Sequence, residues 1–158
     1  MPAVKDCRYI VVVQCQIAMQ RCSGYGCERA FTERQGGFAD LPAEGRYRIL
    51  YMDCGGCCGK TVLRRLQHVC RQAARDGIDK GAIVVQLASC LTKDNYHSPR
   101  CPHAEYIREL VARAGLKCRE DTVISATAER RRADGTYRSS RTAGRPSRRR
   151  GRQAGGVP

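Results

Sequence analysis

Three short, nearly continuous apolar runs, each followed within a few residues by a cysteine, constrain the fold of this chain most strongly. The runs are Tyr9–Val13, Ile49–Met52 and Ile83–Leu87, and the cysteines are Cys15, Cys54 and Cys90. A short apolar run without polar alternation is typical of a strand buried on both faces, as in a parallel sheet. We therefore predict strands at about residues 8–14, 46–53 and 82–88.

Helical patterns separate the predicted strands. The segment from Glu28 to Arg34 predicts a first helix, and residues 61–76 predict a second with Val62, Leu66 and Val69 on one face. A third begins at Pro102 and ends at Gly115, before a last strand within residues 116–125. This alternation predicts an α/β fold, a small three-layer sandwich with a mostly parallel, flavodoxin-like sheet of strand order 2-1-3-4.

The predicted cysteine positions lie together in such a fold. In an open parallel sheet, the carboxyl ends of successive strands lie along one edge, and ligands bind there. Thiolates gathered at that edge indicate a metal centre or a redox centre. The main evidence about function is therefore the placement of the cysteines.

Cys54-Gly55-Gly56-Cys57 is the sharpest motif. Two residues between cysteines allow both sulfurs to reach one ion, and the glycines allow a tight turn. Cys57 also precedes a predicted helix, whose amino terminus favours thiolate over thiol. Incidental small residues in a turn are the alternative interpretation. Cys58, next in the chain, is a further candidate ligand.

Several other residues complete the candidate set. Cys101 is predicted to cap the helix that Pro102 begins, and His103 is predicted to face the domain body beside Ile107, as a ligand or proton carrier. Cys90 follows a buried strand and is either a ligand or an inert core thiol. The candidate metal ligands are Cys54, Cys57, Cys90, Cys101, His103, Cys15, Cys22 and Cys27.

The remaining cysteines and histidines have simpler interpretations. Cys70 is expected in the core on the apolar face of its helix, and Cys118 and Cys7 are expected to be structural or incidental. His68 falls on a charged helix face and should be solvated. His97 is a weak spare ligand.

Eleven cysteines in 158 residues require a chemical explanation. The run Tyr9–Val13 is too short for a secretory signal, so we expect a cytoplasmic protein whose cysteines stay reduced. In that compartment, cysteine spacing indicates metal binding or catalysis rather than a disulfide framework. No run approaches the roughly 20 apolar residues of a membrane span.

The chain's formal charge of +14 is concentrated at its carboxyl end. Residues 129–158 hold ten arginines against Glu129 and Asp134, a charge of +8. Apart from Val157, this segment lacks aliphatic side chains larger than alanine. We predict a domain over residues 1–128 and a disordered arginine-rich tail over residues 129–158.

These motifs together resemble the CGGC-domain family of prokaryotic proteins over roughly residues 8–124. The resemblance rests on Cys15, on Cys22 and Cys27 before Ala30–Arg34, on Cys54–Cys57, on Ala88–Cys90 and on Cys101–His103. It implies a metal-binding domain, with zinc as the metal, but no particular reaction. Members of that family often have proline where this chain has Cys58, and commonly close with Gly-Thr-His where it has Ser125-Ala126-Thr127.

The residues leave several hypotheses open. The leading one is a cysteine cluster that holds Zn²⁺ or an iron–sulfur cluster, since sulfur ligands suit both. The second is a thiol-redox enzyme that uses Cys54 and Cys57 as nucleophile and resolving residue. A thiol phosphatase based on the cysteine-x5-arginine spacing is a weaker alternative. Nucleic-acid binding would act through the tail alone.

Overall fold

A computed structural model describes residues 9–95 and 98–124, together with the backbone of residues 128–130 and 137–139. Two turns of 3-10 helix, Gly36–Phe38 and Lys80–Ala82, lie in connections. The strands and helices, in chain order, are β1 (Tyr9–Gln14), α1 (Gln16–Met19), α2 (Tyr25–Thr32), β2 (Arg48–Asp53), α3 (Lys60–Arg75), β3 (Ile83–Leu87), α4 (Ser89–Thr92), α5 (Ala104–Arg113), β4 (Lys117–Glu120), β5 (Ala128–Arg130) and β6 (Tyr137–Ser139).

The central sheet is parallel and has the order β2-β1-β3-β4. Val12 of β1 lies beside Tyr51 of β2 on one side and Gln86 of β3 on the other. The α/β class, the three layers and the strand order 2-1-3-4 are thereby confirmed. Strand β1 is central and almost completely buried, as its continuous apolar run predicts.

Successive side chains of β1 enter two separate cores, one on each face of the sheet. Val11 and Val13 pack in a cluster with Leu66 of α3 and Ile107 of α5. Ile10 and Val12 point the other way, into a cluster that includes Ala30 of α2 and Phe38. Helices therefore cover both faces, as right-handed crossovers between parallel strands require.

Helix boundaries differ from the predicted ones at two places. Helix α2 begins at Tyr25, where Gly24 takes a left-handed conformation, rather than at Glu28. Helix α5 begins at Ala104 rather than at Pro102, and its N-cap is His103. Cys101 instead begins a turn that the Ala104 N–H closes on the Cys101 carbonyl at 3.2 Å. The prediction that Cys101 caps the helix is therefore wrong.

Beyond the central sheet, β5 and β6 pair antiparallel, with Ala128 beside Ser139. These strands lie at the start of the segment predicted as a tail, most of which falls outside the described residues. The division at residue 128, the disorder of the tail and its binding to nucleic acid stay predictions. Within the part of the chain that the structure describes, no helix is both long and apolar enough to cross a membrane.

Truncation of Leu66 should test the core beneath α3. Leu66 is fully buried, so we expect Leu66→Ala to lower the free energy of unfolding by about 2–5 kcal/mol, through lost apolar contact and the cavity left behind. Chemical denaturation monitored by circular dichroism measures this change. Leu63→Ala is the matched control, since Leu63 is only partly buried on the same helix. An equal loss in both variants would contradict the packing described.

Candidate functional site

The carboxyl ends of β1 and β2 place Cys15 and Cys54 side by side. The last register pair of these strands is Gln14 with Asp53, and the Cys54 N–H donates to the Gln14 carbonyl at 2.8 Å, which extends the ladder. Neighbouring strands lie about 4.8 Å apart. Cys15 and Cys54 are thus the next pair beyond the strands, and both side chains join the cluster that holds Val11 and Val13.

Cys15 and Cys54 are buried, only 7% and 5% exposed, and pack in the same apolar cluster. The neighbouring Cys54 side chain lowers the pKa of Cys15 to about 6, with added support from the backbone N–H groups of Ala18 and Ile17 and against the effect of burial. The Cys15 side chain, together with burial, raises the pKa of Cys54. The pair therefore favours a thiolate at Cys15 and a thiol at Cys54.

Backbone amides at the start of α1 point at two of the sulfurs. The Cys15 N–H donates to Cys90 Sγ at 3.2 Å, and the Gln16 N–H donates to Cys54 Sγ at 3.5 Å. Burial, with smaller contributions from the nearby Cys27 and Cys22, raises the pKa of Cys90 to about 11 against the effect of the Cys15 N–H. Cysteines that follow β1, β2 and β3 thus meet at one edge of the sheet, as the sequence predicts.

The two glycines of the central motif shape the loop after β2. Gly55 and Gly56 have φ angles of 78° and 67°, in the left-handed region that side chains disfavour. A Cβ on Gly55 would lie 2.5 Å from Thr61 Cβ, and one on Gly56 would lie 2.4 Å from Gln16 Oε1. The Asp53 carboxylate accepts from the Gly55 N–H at 2.7 Å and pairs with Arg65 at 3.1 Å.

This loop gives the two cysteines of the motif opposite surroundings. Cys54 is buried, whereas Cys57 is exposed and its Sγ lies 3.3 Å from Thr61 Oγ1. The Thr61 hydroxyl lowers the pKa of Cys57 to about 7, and the backbone N–H groups of Thr61 and Gly59, at the start of α3, lower it as well. Cys57 is therefore the accessible thiolate of the motif, and Cys54 is its buried thiol.

Cys22 and Cys27 lie on the Cys90 side of the edge. Both are half-buried, and Cys27 Sγ lies 3.2 Å from Thr122 Oγ1. Thr122 Oγ1 also accepts from the Ser89 N–H at 3.3 Å, which links Cys27 to the residue before Cys90. These cysteines thus form a neighbourhood with Cys90 rather than with Cys57.

Cys101 and His103 differ in their surroundings. Cys101 is half-buried, packs against the Leu66 and Ile107 cluster, and its N–H donates to the Leu91 carbonyl at 3.0 Å. His103 is exposed at the N-cap of α5. The prediction that His103 faces the domain body is wrong, because α5 begins one residue after it and the helical face that it was assigned to does not include it.

The other cysteines and histidines lie largely where the sequence places them. Cys70 is buried on the inner face of α3, Cys118 is half-buried on β4, and burial raises the pKa of Cys118 to about 11. His68 is exposed and contacts Gln72 at 3.1 Å. Cys58 is half-buried beside the motif. Cys7 and His97 lie outside the described residues.

Sequence reasoning missed Thr61 and Thr122, the hydroxyl partners of Cys57 and Cys27. Thr61 carried a usable signal, since it follows Cys57 by four residues across a helix start, where side chains four apart meet. Thr122 carried none, because it is 95 residues from Cys27 in the chain. Only the fold brings that pair together.

Among the described residues, no group of three or more His, Cys, Asp or Glu side chains is arranged to hold a metal ion. Cys15 and Cys54 are neighbours at the ends of adjacent strands and pack in one cluster. Cys90 is the nearest further candidate, because its sulfur accepts a hydrogen bond from the backbone of Cys15.

Comparison with known proteins gives one match. A family model described as the CGGC domain matches residues 9–123, which is most of the chain. The chain belongs to the CGGC domain family. No curated protein and no solved structure matches it. Membership in the CGGC domain family confirms the resemblance in the sequence, and the matched segment contains β1 to β4 together with all the sulfur positions described above.

Replacement of Gly55 should show how strongly the loop depends on it. We expect Gly55→Ala to destabilise the protein by more than the roughly 1–3 kcal/mol that left-handed backbone costs a non-glycine residue, because its Cβ also meets Thr61. Gly77→Ala is the matched control, since Gly77 has a φ of 70° and open space around its Cβ position. Urea denaturation compares the two variants, and equal losses would contradict the contact with Thr61.

The reactivity of Cys57 should depend on pH near neutrality. Because its pKa is lowered to about 7, the thiolate forms as pH rises through that value, so iodoacetamide should alkylate Cys57 at half its maximal rate near pH 7. Tandem mass spectrometry of metal-free protein follows Cys57 separately from Cys54 and Cys58. Thr61→Val should move the midpoint to higher pH. A wild-type midpoint near 9.0, the ordinary thiol value, would contradict the role of Thr61.

Proposed function

We propose that this CGGC domain binds a metal ion, Zn²⁺ in the first instance, through the thiolates of Cys15, Cys54 and Cys90. The observation that supports this most is the placement of Cys15 and Cys54 side by side and buried at the ends of two adjacent strands. Tetrahedral zinc with Zn–S bonds of about 2.3 Å holds its sulfurs about 3.8 Å apart, and neighbouring strands lie about 4.8 Å apart. Two cysteines at adjacent strand ends can therefore reach one ion.

The surroundings of the pair favour bound thiolates. The Gln16 N–H stabilises negative charge on Cys54, the Cys15 N–H stabilises it on Cys90, and both amides are already in place without a metal. Sulfur donors suit Zn²⁺ and iron–sulfur clusters equally, so the ligand type leaves the cluster as the alternative. Cys15 and Cys54 can serve as two ligands in their present positions. The third ligand, Cys90, requires its side chain to turn toward this pair.

A bound zinc ion would supply positive charge that keeps the buried thiolates ionised and joins the ends of β1 and β2. The fourth position belongs to Cys57, which the motif places three residues from Cys54, or to a half-buried cysteine on the Cys90 side. If Cys57 is the fourth ligand, the loop must turn the Cys57 side chain inward and away from Thr61.

Metal analysis of protein purified without oxygen tests this proposal. We expect one equivalent of zinc in the wild type and a loss of at least ten-fold in Cys15→Ser/Cys54→Ser, with circular dichroism to confirm folding. Cys118→Ser, on β4 and away from the edge, is the matched control and should keep its metal. Broad visible absorbance with bound iron would assign the cluster instead. Wild-type metal content in the double variant would contradict the proposal. The metal content of Cys57→Ser shows whether Cys57 is the fourth ligand.

A second function, thiol–disulfide exchange, is favoured by the contrast within the motif. Cys57 is exposed with a lowered pKa, and Cys54, three residues earlier, is buried with a raised one. In this scheme, the Cys57 thiolate attacks a disulfide substrate and releases one thiolate. Cys54 then transfers its proton to solvent and attacks Cys57 Sγ, which releases the second thiol and leaves a Cys54–Cys57 disulfide.

This second function differs from the first in a measurable way. Metal-free protein should reduce 2-hydroxyethyl disulfide in the presence of a reductant that regenerates the dithiol, Cys57→Ser should be inactive, and Cys54→Ser should accumulate a mixed disulfide detected by mass. Activity that survives in Cys57→Ser would exclude this role. Metal content and reductase activity thus separate the two functions.

A further inference from the structure

A cavity of about 460 Å³ lies on the sheet face opposite the Cys15 and Cys54 pair. Gln14 and Tyr51 contribute to it from β1 and β2, on the same face as Val12, and Glu28 contributes to it from α2. Cavities of this size accommodate small organic ligands. None of the sulfur atoms discussed above lines it, so it is a separate feature of the molecule.

The floor of this cavity carries an unpartnered polar group. Gln14 is only 4% exposed, and among the described residues its side-chain amide makes no hydrogen bond. Its amide borders the cavity instead of packing against protein atoms alone. An amide that borders a cavity and makes no hydrogen bond within the described part of the protein is available to pair with water or a ligand.

Gly24 keeps the space beside this amide open. Its φ is 79°, and a Cβ at this position would lie 3.0 Å from Gln14 Nε2. The glycine therefore does two things at once: it allows the left-handed turn that begins α2, and it leaves the amide of Gln14 accessible from the cavity.

The walls of the cavity are flat and aromatic. Tyr25 is 68% exposed and Tyr51 is 38% exposed, so both rings are accessible to a bound ligand. Met19 completes the apolar lining. Exposed aromatic rings around a polar floor suit a planar ligand that stacks on them and presents a polar edge to Gln14.

Charge narrows the choice of ligand. Glu28 is the acidic residue of the lining, and none of the described lining residues is lysine or arginine. Burial, with smaller contributions from the nearby Cys27 and Glu28, raises the pKa of Tyr51 to about 12, so this phenol remains neutral. The cavity therefore disfavours phosphate or carboxylate groups and accepts a neutral or protonated ring.

We propose that this cavity binds a planar nitrogen heterocycle of the nucleobase type, with the Gln14 amide paired to an adjacent donor and acceptor on the ring edge. A glutamine amide is both donor and acceptor and forms such a pair with the edge of adenine. The Tyr25 and Tyr51 rings enclose the ring faces. The site depends on Gln14 and α2 and not on a bound metal, so it does not rest on the proposed function.

Titration of the full chain with adenosine tests the site, followed by ¹H–¹⁵N NMR of the Gln14 side-chain amide and the Gly24 N–H, with calorimetry for affinity. We expect saturable shifts at both groups. Gln14→Met keeps the length of the side chain and removes its amide, and should weaken binding at least ten-fold. Gln72→Met, an exposed glutamine on α3, is the matched control and should bind as the wild type does.

Two further measurements test the aromatic lining and the charge of the cavity. Tyr25→Ala removes an exposed wall without disturbing the core and should weaken binding several-fold. AMP, which differs from adenosine by its phosphate, should bind more weakly because of Glu28. Absence of saturable shifts in the wild type, equal affinity in Gln14→Met, or tighter binding of AMP than adenosine would each overturn the proposal.

Discussion

The parallel register of β1 against β2 is the constraint on which the sulfur site depends. Hydrogen bonds fix Gln14 opposite Asp53, so the next residues of the two chains, Cys15 and Cys54, are held within one strand spacing of each other. A shift of one residue would send one of these side chains to the opposite face. Thus the side-by-side placement of two buried cysteines is a property of the ladder itself and not of the loops that follow it.

The loop after β2 places the two cysteines of the motif, Cys54 and Cys57, in different environments. Cys54 continues the strand and stays in the core, whereas Gly55 and Gly56 reverse the chain so that Cys57 reaches the amino terminus of α3. The Cys15 side chain and burial raise the pKa of Cys54, and the Thr61 hydroxyl with helical N–H groups lowers the pKa of Cys57. The same four-residue motif therefore provides one protected sulfur and one accessible thiolate.

The sequence contained enough information for the strand order and for the meeting of Cys15 with Cys54, since both follow from apolar periodicity and from the geometry of parallel sheets. The sequence was less informative about the burial of β2. The run of Ile49–Met52 resembles that of β1, yet Leu50 and Tyr51 are each 38% exposed. An apolar run indicates a strand, but burial also depends on whether the strand is central, and β2 lies at the edge of the sheet.

Side-chain direction at the site was the least predictable property. The start of α5 depends on a turn between Cys101 and Ala104 that composition does not reveal, and two residues of shift move His103 from the helix face to the N-cap. The environment of Cys57 depends on two backbone angles and one threonine hydroxyl. Each of these side-chain directions depends on a few hydrogen bonds, whereas the fold is determined by many residues together.

The sulfur pair and the cavity on the other face share a single strand end. Gln14 and Cys15 are consecutive, so alternation sends their side chains to opposite faces, and the Gln14 carbonyl accepts the N–H of Cys54 at 2.8 Å. A ligand that displaced the backbone of Gln14 would thus also move the hydrogen bond that holds Cys54 beside Cys15. Any coupling between the two faces would need no distant pathway, because the Gln14 carbonyl that pairs with Cys54 belongs to a residue that lines the cavity.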